Sequence, residues 1–267
     1  MRHIRAVSKI FGVIFITLSG YMIYLPVYLV IRIFRLPYEH WRNFFMRNWS
    51  KVMARVLAVK ITIKGSPPEP PFFLVSNHVS YIDIIPMYIG MDCTFVAKKE
   101  VRSWPVVGFM VMTMGVIFVD RTRKRDVTRV NKLQEESLNH RQGVVLFPEG
   151  TTSDGAEILP LRSPLLEFPV SAKMPVHYAT IYYKTSEGDI HAGESVCWFG
   201  RESFGEHLYK LAGNRSIECT ITFADNPVMA NDRKELKKKL EEKMYEQFEP
   251  ITEMNERSSE FSETLPF

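Results

Sequence analysis

The longest apolar run in the chain lies near its start and carries no charge from Ile10 to Ile31. As a helix these residues reach about 33 Å, enough to cross a hydrocarbon core of about 30 Å. Arg2, Arg5 and Lys9 precede the run, and Arg32, Arg35, Arg42 and Arg47 follow it. With both flanks basic, the positive-inside bias selects no orientation. A cleavable signal peptide is disfavoured, because the run is long and ends at Arg32-Ile33-Phe34-Arg35 without a small-residue cleavage site. Pro26 sits inside the run and is able to break it. The pattern predicts a segment that dips into one leaflet and returns, with a single tilted span as the alternative. From Tyr38 to Ala58, apolar residues at 41, 45, 49, 52 and 53 recur at helical spacing among Arg42, Arg47, Lys51 and Arg55. This predicts an amphipathic interfacial helix, against the plainer reading of a helix packed on its own core.

Beyond residue 58 the pattern changes to short apolar runs. Strands are predicted near Val59–Ile63, Phe72–Ser76, Thr94–Ala97, Val116–Val119, Val144–Phe147, Val176–Tyr183 and Ile217–Phe223, and helices over Asp126–Asn139 and Asn231–Gln247. Strands alternating with helices predict an α/β fold, a mixed or mostly parallel sheet flanked by helices. The expected organisation is a membrane anchor with an interfacial helix over residues 1–58, one catalytic domain over 59–250, and a polar tail over 251–267.

Composition narrows the function classes. The 267 residues carry a net charge of +4 and three cysteines. Cys93, Cys197 and Cys219 are odd in number and far apart, which predicts reduced thiols in a cytoplasm-facing domain and not a disulfide frame or a zinc site. His177 and His191 lack partners at metal-ligand spacing, so no metal is expected. There is no aromatic RNA-binding block, and an apolar anchor argues against nucleic acid as a partner. No Gly-x-Ser-x-Gly elbow is present to supply a serine nucleophile.

The chemistry is carried by His78 and Asp83, five residues apart and just after an apolar run. On a helix that spacing separates the side chains by about 140°, and on a strand they face opposite sides. They converge only where the backbone turns, as at a strand-to-helix junction, and there the carboxylate can fix the imidazole tautomer for general-base work. The plainer reading is that Ser80-x-x-Asp83 approximates a capping box and His78 is a turn residue.

Three further segments follow in order: Gly115-Val116-Ile117-Phe118-Val119-Asp120-Arg121, Phe147-Pro148-Glu149-Gly150-Thr151-Thr152, and Met174-Pro175-Val176-His177. With the His-x4-Asp block, these resemble the glycerolipid acyltransferase family, typified by 1-acylglycerol-3-phosphate acyltransferases, over roughly residues 60 to 225. The resemblance implies a glycerolipid acyltransferase-like fold with His78 as general base and Asp83 as its orienter. It further implies Arg121 as a phosphate ligand, with Lys98 a second candidate from the segment Phe95 to Glu100 that leads to Pro105 and Gly108. Glu149, Gly150 and Thr151 would shape the acceptor site, and Pro175 and Val176 would form an acyl-binding block. Relatives that accept a phosphate often carry Arg where this chain has Thr152, and Arg162 stands where such relatives often have Lys. The third block looks closer to the lyso-ornithine lipid acyltransferase branch.

The expected function is therefore a membrane-bound O-acyltransferase that moves a fatty acyl group from a thioester donor to the free hydroxyl of a lysolipid. The first acceptor is 1-acylglycerol-3-phosphate, in phospholipid biosynthesis, with lyso-ornithine lipid or another lysolipid as the alternative. The co-substrate is acyl-CoA or acyl carrier protein, no further cofactor is expected, and the catalytic domain is placed on the cytoplasmic side. Membrane lipids are the expected surroundings, and Lys98 to Arg102 and Arg121 to Arg125 suit an anionic lipid surface. The rival from another class is a non-catalytic membrane lipid-binding protein on the same fold.

Overall fold

The computed structural model describes residues 1–104, 107–123 and 126–252. Pro105, Lys124, Arg125 and the tail from residue 253, which bear on expectations above, lie outside them.

Seven strands form one sheet: β1 (Val59–Lys64), β2 (Phe73–Ser76), β3 (Cys93–Lys98), β4 (Ile117–Val119), β5 (Gly143–Leu146), β6 (Val176–Thr185) and β7 (Ile217–Phe223), in the order β1-β7-β6-β2-β5-β3-β4. Only the β6–β7 pair is antiparallel. β2 lies between β5 and β6, with Phe73 opposite both Val144 and Val176. All four β2 residues are buried, as expected for a strand covered on both faces. Phe72 and Leu74 face a core shared with Val145, Ile181 and Ile221, whereas Phe73 and Val75 face one shared with Val176, Leu240 and Met244. The second face is closed by α6 (Glu167–Ser171) and by α9 (Arg233–Gln247), whose N-cap Asp232 accepts from the backbone nitrogens of Lys234 and Glu235. The chain stays packed past the expected domain end: Ile251 is buried and its nitrogen donates to the Gly155 carbonyl at 2.8 Å.

The first face is covered by α2 (Glu39–Leu57), α3 (Ile84–Gly90) and α8 (Phe204–Gly213), and α1 (Arg2–Ile33) lies over α2 and α8. The expectation that Pro26 interrupts the apolar segment is corrected here, because α1 runs unbroken through it. A proline inside a helix removes one donor and crowds the preceding turn, and this one is held by contacts of Tyr21 and Tyr24 before Pro26 and of the Tyr28 ring with Tyr38 after it. The Tyr21 hydroxyl meets Thr113 Oγ1 and the Tyr24 hydroxyl donates to the Thr113 carbonyl, both at 2.9 Å, and the Tyr24 ring lies tilted against Phe45 with centroids 4.8 Å apart. At the other end Arg5 donates to the Gly213 carbonyl at 2.9 Å, and Lys9 donates to the carbonyls of Leu57 and Asn214 at 2.8 and 2.7 Å. A helix of about 48 Å is thus fixed to the catalytic domain near both ends. Its outward face, including Phe11, Phe15, Met22 and Val30, is exposed and apolar.

α2 also differs from the expected interfacial helix. Trp41, Phe45 and Trp49 pack toward α1, with the Trp49 indole donating to Thr17 at 3.3 Å, while Met46, Met53 and Leu57 enter the core. Arg42, read from sequence as a basic flank, is fully buried; its guanidinium donates to the side-chain oxygen of Asn43. Arg47 pairs with Asp92 at 2.8 Å. Two faces of α2 are taken by packing, against α1 and the core, and a third, with Phe44, Asn48, Lys51 and Arg55, is exposed.

Candidate active site

In a parallel sheet, the carboxyl ends of neighbouring strands open onto a common edge, where loops gather chemistry. His78 follows β2, Glu149 follows β5, Lys98 ends β3 and Arg121 follows β4, so four motif residues come from four adjacent strands.

After β2 the backbone turns through a single 3₁₀ turn, Tyr81–Asp83, into α3. The turn brings His78 Nδ1 to 2.8 Å from Asp83 Oδ2. The same oxygen accepts from the backbone nitrogens of Val79 and Ser80 at 2.9 and 3.0 Å, and the other accepts from the Tyr183 hydroxyl at 3.0 Å. One fully buried carboxylate thus caps the 3₁₀ turn and bonds the His78 ring. With Nδ1–H donating to Asp83, the neutral imidazole presents an unprotonated Nε2. The ring lies parallel on Phe147, centroids 4.1 Å apart, and Phe147 in turn stacks on Phe95 at 5.9 Å.

Glu149 is 2% exposed and spends both oxygens on backbone donors, His78 N at 2.7 Å and Leu159 N at 3.0 Å. Burial pushes its carboxyl well up, while the two N–H donors pull it down. Glu149, matched to the block that shapes the acceptor site, has its carboxyl turned inward onto the His78 turn. The Ser153 nitrogen adds a second tie, donating to the His78 carbonyl at 3.0 Å.

Gly150 adopts φ +78°, a conformation that side chains other than glycine rarely take. A Cβ there would come within 3.2 Å of Arg121 Nη1 and 3.4 Å of Arg162 Cδ, so both arginines converge on this glycine. Arg121 donates to the Gly150 carbonyl, and the Arg162 nitrogen donates to the Pro148 carbonyl at 2.9 Å. Partial burial first, then Arg121 and Arg162, press the Lys98 ammonium below its ordinary range, with Glu100 opposing. Lys99 and Arg123, by contrast, are turned to Asp120 at 2.8 and 3.5 Å. Three cations are thus gathered beside His78, and the two basic neighbours are spent on a carboxylate. Thr151 is half-buried, and the Thr152 hydroxyl donates to the Trp198 carbonyl on the far side of the loop.

Pro175 and Val176 are not brought to this edge. Val176 opens β6 opposite Phe73, at the amino end of β2, and is buried in the core with Leu236 and Leu240; Pro175 beside it is exposed. Tyr183, Phe147 and Trp198 are site residues that the sequence did not single out. Tyr183 lies 100 positions from Asp83, and the inward alternation along β6 was the one signal for it. His177 is half-buried and His191 caps α7 (Ala192–Ser195), accepting from Gly193 N, so both are structural. No group of three or more potential metal ligands occurs among the described residues.

The arrangement is a histidine bonded to a buried carboxylate, with Lys98, Arg121 and Arg162 gathered at the neighbouring loop. The acyltransferase family profile matches residues 58–183. A 1-acyl-sn-glycerol-3-phosphate acyltransferase of Neisseria gonorrhoeae is 30% identical over 190 residues, covering 70% of this chain and 73% of that protein. A lyso-ornithine lipid O-acyltransferase of Brucella abortus is 28% identical over 218 residues, covering 76% and 81%. The crystal structure of the 1-acyl-sn-glycerophosphate acyltransferase PlsC from Thermotoga maritima superposes with a TM-score of 0.66 over 93% of this chain and 96% of that one, at 20% identity, a likeness of fold. By its profile match and by relatives that align over most of its length, this chain belongs to the acyltransferase family and is an acyltransferase.

Proposed function

We propose that the chain is a membrane-bound O-acyltransferase that moves a fatty acyl group from a thioester donor to the free hydroxyl of 1-acylglycerol-3-phosphate. The observation that carries this reading is the His78–Asp83 pair standing beside Lys98, Arg121 and Arg162. His78 Nε2 accepts the hydroxyl proton as that oxygen attacks the thioester carbonyl, and Asp83 stabilises the imidazolium that forms. Collapse of the tetrahedral intermediate breaks the carbon–sulfur bond, and the departing thiolate takes the proton from His78. No acyl-enzyme is required, since the lipid hydroxyl is the nucleophile. The three cations hold the acceptor phosphate; guanidinium forks suit its oxygens and the ammonium adds a point charge.

Membrane attachment follows from α1. The helix is apolar along its exposed face and fixed to the catalytic domain near both ends, which suits lying in one leaflet better than leading away across the bilayer. The catalytic edge then meets its lipid at the cytoplasmic surface, where acyl-CoA or acyl carrier protein is available.

A second acceptor, lyso-ornithine lipid, is favoured by one observation: the Thr152 hydroxyl is committed to the Trp198 carbonyl, so position 152 adds no cation to the cluster. The test is acyl transfer by the membrane-embedded protein from labelled acyl-CoA and acyl carrier protein, with lysophosphatidic acid and lyso-ornithine lipid as acceptors and His78→Ala as control. Transfer to lysophosphatidic acid that is lost in the variant supports the first reading. Transfer to lyso-ornithine lipid alone supports the second, and no His78-dependent product would favour a non-catalytic lipid-binding role.

A further inference from the structure

Acyl transfer as described leaves a second cluster beside His78 unused. Tyr81, Trp104, Trp198 and Phe204 touch ring to ring, with centroids 5.0 Å apart for Tyr81–Phe204, 5.5 Å for Tyr81–Trp198 and 5.6 Å for Trp104–Phe204. The polar atoms of Tyr81 and Trp198 are turned to protein partners. The Tyr81 hydroxyl bonds His207 Nδ1 at 3.2 Å, and the Trp198 indole donates to the Glu202 carbonyl at 3.0 Å. What remains is ring surface, and it is not sealed in a core: Tyr81, Trp104 and Trp198 are half-buried, and Phe204 is 39% exposed.

The cluster is fastened to both motif loops. The Trp198 nitrogen donates to the Val79 carbonyl at 2.8 Å, and its carbonyl accepts from the Thr152 hydroxyl. The Glu149–Ser153 loop therefore runs from the cations at Gly150 to the aromatic rings at Thr152, and both of its ends bond His78. His78 is thus tied to both ends of a loop whose middle carries the cations at Gly150 and the aromatic rings at Thr152.

An acceptor that meets all three groups presents an anion, a reacting hydroxyl and hydrocarbon. A glycerol with phosphate on one terminal carbon and an acyl chain on the other has its free hydroxyl on the middle carbon. The geometry points to the Tyr81–Trp104–Trp198–Phe204 cluster as the subsite for the acyl chain that the acceptor already carries. This assignment rests on the lysolipid reading above. Phe204 is itself partly exposed, as the first residue of α8, which packs on α1. Flat aromatic faces and partial exposure suit a flexible chain that enters from a lipid surface.

The experiment compares kcat/KM for a long-chain and a short-chain lysophosphatidic acid, using the full chain in vesicles with a fixed donor. In Phe204→Ala and Trp198→Leu the long-to-short ratio falls at least about tenfold, the scale on which an apolar pocket discriminates hydrocarbon. Phe199→Ala, an exposed aromatic with no ring contact to the cluster among the described residues, keeps the ratio of the unmodified protein. Thermal unfolding of each variant checks that it folds, and Phe204→Ala, altered at the surface, preserves the test if Trp198→Leu does not fold. An unchanged ratio in folded variants would overturn the assignment. So would a ratio that tracks the donor's chain length, or a loss for both acceptors in step with loss of vesicle binding, which would mark Phe204 as a surface anchor. Absence of turnover in the unmodified protein would overturn the reaction itself, and the subsite with it.

Discussion

The carboxylate of Glu149 holds the backbone nitrogen of His78 at 2.7 Å, across two parallel strands that pair side by side. Its other oxygen is committed to Leu159 N, so the side chain serves two donors and touches no reacting atom. In Glu149→Gln only one side-chain oxygen remains, and the amide turns a donor toward one of the two N–H groups. A buried donor left unpaired costs about 1–3 kcal/mol. Denaturant titration is expected to show a loss of that size, with kcat reduced more than KM because the base is displaced while the cations remain.

His78→Ala removes the base and is expected to lower kcat by about 10²–10⁴-fold, the usual share of general-base catalysis. Asp83→Asn is expected to fall in the same range for another reason. An amide accepts through one oxygen only, so the Nδ1–H bond that sets the tautomer competes with the Val79 and Ser80 nitrogens. Vesicle flotation should show both variants membrane-bound, which separates lost chemistry from lost attachment.

Arg121→Ala and Lys98→Ala are expected to raise KM for a phosphate-bearing acceptor with little change in kcat. Each removes a charge-assisted contact worth about 1.5–3 kcal/mol, or about ten- to a hundredfold in kcat/KM. Steady-state assays against lysophosphatidic acid check this. Equal loss with an uncharged acceptor would remove the cluster from phosphate recognition.

His207 is buried with Nδ1 on the Tyr81 hydroxyl and Nε2 on the Cys197 carbonyl, and burial depresses its pKa; His177 is depressed in the same sense. The folded protein keeps these rings neutral, whereas the unfolded chain takes up protons near about 6.5. Folding stability is therefore expected to fall as pH drops below that value and to be unaffected above it. Urea midpoints between pH 5 and 8 should show a shallower acid slope in His207→Gln, whose amide can donate to Cys197 and accept from Tyr81.

Much of this was legible in the chain because it is local. Seven apolar runs became seven strands, and the five-residue spacing of His78 and Asp83 required the turn that the structure contains. Other features depend on the tertiary arrangement. Arg42 reads as a membrane-flanking charge until a neighbouring asparagine and a sandwiched helix bury it. Pro26 reads as a break until the contacts of Tyr21 and Tyr24 before it and of Tyr28 with Tyr38 after it hold the helix in place. Tyr183 could not be linked to Asp83 from spacing, because β6 reaches β2 only through sheet order. Val176 matched a motif, but its register opposite Phe73 puts it at the other end of the strand.

With α1 clasped to the catalytic domain from Arg5 to Tyr24, the proposed enzyme has a sidedness. With that helix placed in one leaflet as proposed, the enzyme would draw lipid from, and return lipid to, that monolayer. Newly made diacyl lipid would then accumulate on the face where the thioester is supplied, and a bilayer growing by this route depends on a separate translocating step to keep its two areas equal.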